Sequence, residues 1–316
     1  QKFIVALILV ASATAHFLPK EDSEVFKFMK FIKKFNREYE SPEQFQEKFA
    51  IFKTNLEKVA DHDKLTPFMD ITEEEFRAKY LTLDASAIAA AKSKMESFVP
   101  KMTMGEVPES LDWVERGLVS HVKDQGQCGS CWAFSAVANI EGQYAKKHGK
   151  IVTFSEQELV DCDHVDQGCN GGLMDNAFQQ LMKIGGLVDD ATYPYTGVGG
   201  TCRFPRFSNR QTVARVLSFK DISQNEEEIK KALVEVGPLS VAVDANSFFS
   251  YQGGVHKNCG VFGLNHGVTL VGYGTDEQTG ETFWKIKNSW GAVWGEEGYI
   301  RVQYGVGCVG VNLNVS

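Results

Sequence analysis

The stretch "KDQGQCGSCWAFSA", Lys123 to Ala136, sets Cys128 and Cys131 in a C-x-x-C spacing immediately before a tryptophan. That spacing serves three chemistries: a redox dithiol, half of a zinc site, or one structural cysteine beside one chemical one. Apolar residues continue from Cys131 to about Tyr144 and predict a buried helix with Ser130 as its N-cap. A sulfur at its start faces unpaired N–H groups and the positive end of the helix dipole, which favours thiolate over thiol. For acyl transfer the thiolate also needs a histidine as acid–base partner, a group to orient that histidine, and donors aimed at the developing oxyanion.

Five more cysteines follow, Cys162, Cys169, Cys202, Cys259 and Cys308, and none precedes residue 128. The opening "QKFIVALILVASATA" joins an early lysine, an apolar run from Phe3 to Val10 and the small-x-small Ala13-Thr14-Ala15. This pattern predicts a secretory signal over residues 1–15, the apolar run being about half of the ~20 residues a bilayer span needs. A secretory route permits disulfides, and an odd cysteine total leaves at least one thiol over. Arithmetic alone does not say which. The 316 residues suffice for about two domains, and 43% hydrophobic with 23% charged residues is ordinary for a soluble globular chain. A net charge of -8 without a basic tract leaves no electrostatic footprint for nucleic acid.

Along the chain, Phe28, Phe31, Ile32 and Phe35, and then Phe45, Phe49, Phe52, Leu56 and Val59, recur at three- and four-residue steps. They predict two amphipathic helices, the second capped by Ser41 and starting at Pro42. From Leu81 to Met104 no period is sustained, which predicts an exposed linker. After Val107 the sequence carries glycine, cysteine and tryptophan to its end. "LSVAVDA", "HGVTLVGYG", "ETFWKIKNSW" and "GYIRVQY" read as strands, and Glu226 to Val236 reads as a helix stopped by Gly237-Pro238. A helical lobe over about 107–217 and a sheet lobe over about 218–316 are expected, with a cleft between them as the place for a site.

"QGQCGSCWAF" matches the C-G-[SA]-C-[WY] signature known for papain-like cysteine proteases. "GCNGGLMD" at 168–175, "NHGVTLVGYG" at 265–274 and "KNSWGAVWGEEGYIRV" at 287–302 follow in that family's order. By these blocks the chain resembles the papain-like proteases, and "NGGLMD" and "KNSWG" are nearest the cathepsin L-like branch. The resemblance implies an α+β, two-lobed papain-like fold over 107–316, with a helical left lobe, an antiparallel β-barrel-like right lobe and the active-site cleft between. It also implies that residues 16–106 form a helical inhibitory propeptide and linker.

Carried over residue by residue, the resemblance makes Cys131 the nucleophile and His266 the general base and acid, with Asn288 fixing the imidazole. The Gln125 amide and the Cys131 backbone N–H would form the oxyanion hole, and Trp290 would shield the His266–Asn288 bond and line the primed side. The implied disulfides are Cys128 with Cys169, Cys162 with Cys202, and Cys259 with Cys308, leaving Cys131 as the odd thiol. Gly172 would hold substrate backbone, while Leu173, Met174, Ala242 and Gly267, closed by Leu313, would line the pocket for the second residue before the cut. Asn265, where several relatives have Asp, lies beside this pocket. Its lining is apolar with no acid at the base, so Leu, Phe or Val is expected there and Arg is not.

In the propeptide, the family's interspersed helix motif maps onto Gln44, Lys48, Phe52, Asn55, Val59 and Asp63, expected on one helix face. The following motif survives in part as "KLTPFMD", with Phe68 and Asp70 retained. Acid is expected to loosen this region by titrating its carboxylates. No paired-histidine occluding insertion is visible, so internal cleavage is expected. The partners implied are protein and peptide substrates, the chain's own propeptide and cystatin-like inhibitors, acting on a monomer without metal or cofactor, in a lysosome or vacuole or outside the cell. A dithiol oxidoreductase would need a βαβ context for Cys128 and Cys131, and a zinc site a second matching pair; neither is visible.

Overall fold

The computed structural model describes residues 23–84, 88, 97–204 and 212–316, so the expected signal at 1–15 lies outside the described residues. The chain divides into two compact units, 1–76 and 77–316.

The first unit is built on α1 (Glu24–Lys34) and α2 (Pro42–Leu56). Each helix starts on a serine, Ser23 and Ser41, whose hydroxyl accepts from the N–H of Phe26 and Gln44. Phe28 is fully buried, with its ring within 6.1 Å of the rings of Phe31, Tyr39, Phe45, Phe49 and Phe52. The stretch after α2 is pinned back by the buried Asn55, whose amide donates to the carbonyls of Met69 at 3.1 Å and Ile71 at 2.8 Å. Asp70 is buried beside Arg37 and accepts from the Tyr39 hydroxyl at 3.0 Å. A helix α3 (Glu73–Tyr80) spans the boundary between the units.

Two expectations are corrected here. Helix α2 ends at Leu56, where Lys58 turns its N–H back to the Asn55 carbonyl, so Val59 and Asp63 lie beyond the helix that carries Gln44, Lys48, Phe52 and Asn55. The segment from Leu81 is not an exposed linker throughout: Leu83 and Ile88 are 5% and 6% exposed and belong to the core of the second unit. Two isolated apolar residues set no period, yet each fills a place in an apolar surface made elsewhere in the chain.

In the second unit the central element is α4 (Cys131–His148), twelve of whose residues are buried. It packs against α5 (Glu156–Cys162) and α6 (Met174–Ile184) through Trp132, Val137, Leu159, Phe178 and Leu181. Short strands frame this layer: β1 (Ser97–Phe98) pairs in parallel with β5 (Asp221–Ile222), and β3 (Leu187–Val188) pairs with β4 (Thr212–Ala214).

The main sheet follows the order β2 (Leu111–Asp112), β8 (His266–Thr275), β9 (Thr282–Lys287), β10 (Tyr299–Gln303), β7 (Val255–His256), and β6 (Leu239–Val243) also pairs with β8. Its pairs are antiparallel except β7 with β10, and among the described residues it remains open where a barrel-like lobe was expected. Helix α7 (Glu226–Val236) is capped by Asn225, which accepts from Glu227 and Glu228, and ends at Gly237.

The sequence halves are crossed at both ends. Leu111–Asp112 joins the sheet through β8, and the Asn139 amide of α4 donates to the Ser316 carbonyl at 3.0 Å. Helix α4 meets β8 directly, with the Ser135 hydroxyl donating to the Val268 carbonyl at 2.7 Å. The half-buried Lys123 ties the loop before α4 to α4 and α5, donating to Glu141 at 2.8 Å and Glu156 at 2.6 Å. Disulfides join Cys128 to Cys169, Cys162 to Cys202 and Cys259 to Cys308, as the resemblance implied. Each contributes ~2 to 4 kcal/mol by restricting the unfolded chain.

Candidate active site

Cys131 is a free cysteine and the first residue of α4, and His266 is the first residue of β8, so the α4–β8 packing brings them to one place. The backbone N–H of Gly267, next to His266, is hydrogen-bonded to the Cys131 sulfur. Asn288 follows the last residue of β9, and its Oδ1 lies 2.8 Å from His266 Nε2. That oxygen also accepts the Ser289 N–H at 2.8 Å, which fixes the amide with its carbonyl toward the ring and makes Nε2 the donor. The Trp290 indole stacks on the imidazole, centroids 4.7 Å apart.

Gln125 is fully buried. Its Oε1 accepts from the Ser289 hydroxyl at 2.7 Å, its Nε2 donates to the Cys128 carbonyl at 3.0 Å, and its backbone N–H donates to the Ser289 carbonyl at 2.9 Å. The amide Nε2 carries two hydrogens, so one remains for a further acceptor. Ser130 stands at the N-cap position but makes no capping bond, contrary to expectation; its hydroxyl turns to Tyr195 instead.

Residues 80–84 of the same unit run across this site. The Thr82 hydroxyl lies beside the Cys131 sulfur and donates to the Gly129 carbonyl at 3.0 Å, the Leu83 N–H donates to the Asn265 carbonyl at 3.1 Å, and the Tyr80 ring meets Trp290 edge-on. A side chain at Gly171 would place its Cβ 2.2 Å from the Thr82 carbonyl, so the close approach needs glycine there. Gly172 answers to a different neighbour: its Cβ would stand 2.6 Å from the Trp132 ring and 2.7 Å from the Asp166 carboxyl carbon. Leu83 shares one apolar cluster with Leu173, Met174, Ala242 and Leu264, and Leu313 packs against it. The Asn265 side chain is engaged elsewhere, accepting from the Ala245 N–H at 2.9 Å.

With these residues in place, the electrostatics run against an ion pair. Burial pushes the Cys131 thiol up, outweighing hydrogen bonds from Gly267, Thr82 and Trp132, and burial pushes the His266 imidazole down to about 4 despite its bond to Asn288. The helix N-terminus was expected to favour the thiolate. In the covered site desolvation decides.

Residues 107–316 match the family model described as papain family cysteine protease. The chain belongs to the papain family of cysteine proteases. Residues 28–76 match the cathepsin propeptide inhibitor domain, so this papain-family endopeptidase is made as a proenzyme. A cysteine proteinase of Trypanosoma brucei brucei is 40% identical over 317 residues, covering 97% of this chain and 70% of that protein. A viral cathepsin of the Adoxophyes honmai nucleopolyhedrovirus is 38% identical, covering 98% of this chain and 96% of its own length. Among solved structures, the digestive procathepsin L 3 of Tenebrio molitor larval midgut superposes with a TM-score of 0.81 at 33% identity, covering 92% of this chain and 97% of that one.

The papain-family motifs did not single out Leu264, Ser289 or Thr82. Leu264 carried a signal, an apolar residue two places before the histidine. Ser289 stands inside the quoted "KNSWG", but only the fold reveals that its hydroxyl orients Gln125. Among the described residues no helix is long and apolar enough to cross a membrane.

Proposed function

We propose that this papain-family proenzyme hydrolyses peptide bonds through Cys131, His266, Asn288 and Gln125, once residues 80–84 have left the site. With the site open, the Cys131 thiol gives its proton to the free ring nitrogen of His266 and the sulfur attacks the scissile carbonyl carbon, and the negative oxygen that forms accepts hydrogen bonds from Gln125 Nε2 and the Cys131 N–H. His266 donates its proton to the leaving amine, which departs and leaves an acyl-enzyme. Water then gives its proton to His266 and attacks the thioester, releasing the acid and restoring the sulfur. The single observation that carries this reading is the His266–Asn288 pair held at 2.8 Å beside the one cysteine outside the three disulfides.

Specificity follows from the apolar lining of Leu173, Met174, Ala242, Leu264 and Leu313, with Gly267 at its edge. No carboxylate among these residues meets a guanidinium, so Leu, Phe or Val is preferred at the second position before the cut, and Arg pays desolvation without a partner. Leu83 in the same cluster is the chain's own example of such a side chain. Gly172 and its neighbours hold the substrate backbone, Asn265 contributes its carbonyl as it does to Leu83, and Trp290 borders the primed side. The chain's own propeptide blocks the site before activation, and cystatin-like inhibitors entering the same cleft would block it afterwards. The enzyme acts as a monomer in the secretory route, in a lysosome or vacuole or outside the cell.

The test is kinetic. After acid activation, a Leu-Arg dipeptidyl substrate is expected to show kcat/KM at least about tenfold above its Arg-Arg counterpart, the worth of ~1.4 kcal/mol in that pocket. Equal turnover of the two would refute the proposed pocket.

A further inference from the structure

We propose that Tyr195 is a positioning residue for the oxyanion hole, its hydroxyl tying together the two chain segments that carry the Gln125 amide and the Cys131 N–H. The inference rests on the reading of those two groups as oxyanion donors. Tyr195 lies 65 positions after Ser130, on the loop beyond β3.

Its hydroxyl donates to the Gln125 backbone carbonyl at 2.8 Å and stands 2.7 Å from the Ser130 hydroxyl. A carbonyl only accepts, so the phenol proton belongs to Gln125, and the Ser130 hydroxyl must donate to Tyr195. The alternative acceptor for Ser130, the Cys128 carbonyl, is farther away at 3.4 Å. The Tyr195 ring is held edge-on to Phe134 of α4, centroids 4.9 Å apart. Burial keeps its phenol above the ordinary tyrosine range, so it remains a donor throughout the working pH.

Both donors depend on what this hydroxyl holds. The Cys131 N–H belongs to the peptide unit joining Ser130 to Cys131, so its direction is set by the Ser130 ψ of 17°, outside the helical range. Ser130 is held there by a side chain that forgoes capping for the bond to Tyr195. Gln125 is gripped from one side by Ser289, through its N–H and its Oε1, and from the other by Tyr195, through its carbonyl. The hydroxyl is therefore the shared anchor that sets the spacing between the two donors, and a donor displaced by a fraction of an ångström no longer meets the oxyanion well.

The test uses the full chain, activated by acid, with Tyr195→Phe, which keeps the ring against Phe134 and removes both hydrogen bonds. We expect kcat to fall about tenfold, less than the ~100-fold typical of deleting a donor outright. Affinity for a peptide aldehyde, whose tetrahedral adduct places its oxygen in the same hole, should fall by the same factor. KM and the rate of alkylation by iodoacetamide, which needs the sulfur but no oxyanion hole, should stay within about twofold. Ser130→Ala should behave alike, and the double variant should lose no more than the worse single one. If kcat and aldehyde affinity are unchanged in Tyr195→Phe, or if alkylation slows in step with turnover, the inference is wrong. Gln125→Ala separates the two readings. A large loss there with none in Tyr195→Phe rejects Tyr195 alone, whereas no loss in Gln125→Ala rejects the donor reading itself. Should Tyr195→Phe fail to fold, Ser130→Ala with the same readouts decides.

Discussion

The indole of Trp290 lies stacked on the imidazole of His266 at an interplanar angle of 30°, and both residues are buried. In the proposed mechanism the ring would roof the hydrogen bond from His266 to Asn288 and keep water from competing for it, which would strengthen the bond. In Asn288→Ala the imidazole loses its acceptor, and kcat should fall about 10- to 100-fold. Trp290→Phe should fall less, by about threefold to tenfold, because a smaller ring still covers the pair. Steady-state kinetics on the activated variants check the order; an Asn288→Ala enzyme as active as wild type would remove Asn288 from the mechanism.

The apolar pocket predicts its own redesign. Leu313 packs at its edge, and Leu313→Glu puts a carboxylate where an Arg side chain would end. The ratio of Arg-Arg to Leu-Arg turnover should rise by about tenfold or more at pH above the carboxylate range, and the gain should fade as the glutamate is protonated. A ratio that does not move would place the second side chain elsewhere.

Leu83 predicts how the covered state is held. With residues 80–84 in place, burial raises the Cys131 thiol and lowers the His266 imidazole, so both charged forms are disfavoured. Exposing the site rehydrates both groups, which moves the thiol down and the imidazole up. Leu83→Glu loses the apolar anchor, so at pH 7 the unprocessed chain should be alkylated at Cys131 about tenfold faster than wild type. Peptide mapping with labelled iodoacetamide reads this directly, and equal rates would show that Leu83 does not hold the segment.

Burial also shapes the response to acid. Glu158 is fully buried, accepts the Val188 N–H at 2.8 Å, and is pushed up to about 8 by desolvation. A carboxyl raised above its unfolded value binds its proton more tightly in the folded state, so its contribution is fully present below about pH 4 and is lost as pH rises toward 8. Glu158→Gln should therefore melt like wild type at pH 4.5 and several degrees higher at pH 7, for up to ~3 kcal/mol. The carboxyl of Asp70 in the helical unit has the same sign. Asp70 is raised by burial, against the pull of Arg37 and Tyr39, so its protonation favours the folded unit as pH falls.

Much of this was legible in the sequence, for identifiable reasons. The C-x-x-C resolved because an odd cysteine total leaves at least one thiol over and the family resemblance assigned it to Cys131; the end of helix α7 was marked by Gly237, a residue whose local chemistry stops a helix. The limit of α2 was not legible, because the apolar step from Leu56 to Val59 continues past the point where the backbone turns back on Asn55. Leu83 and Ile88 were missed because burial of an isolated residue depends on a surface assembled from α4, α6 and β6. Tyr195 was missed for the same reason: nothing local to "TYPYTG" says that its hydroxyl reaches the Gln125 carbonyl.

The central claim is that one sulfur does the chemistry. The full chain, activated by acid, is treated with an epoxysuccinyl thiol inhibitor, digested without reduction and mapped by mass spectrometry. The account predicts one inhibitor per chain, on the peptide that carries Cys131, with activity lost in proportion to labelling and a mass drop matching removal of the propeptide. Label on any of the six disulfide cysteines, or full activity in a chain labelled at Cys131, would contradict it.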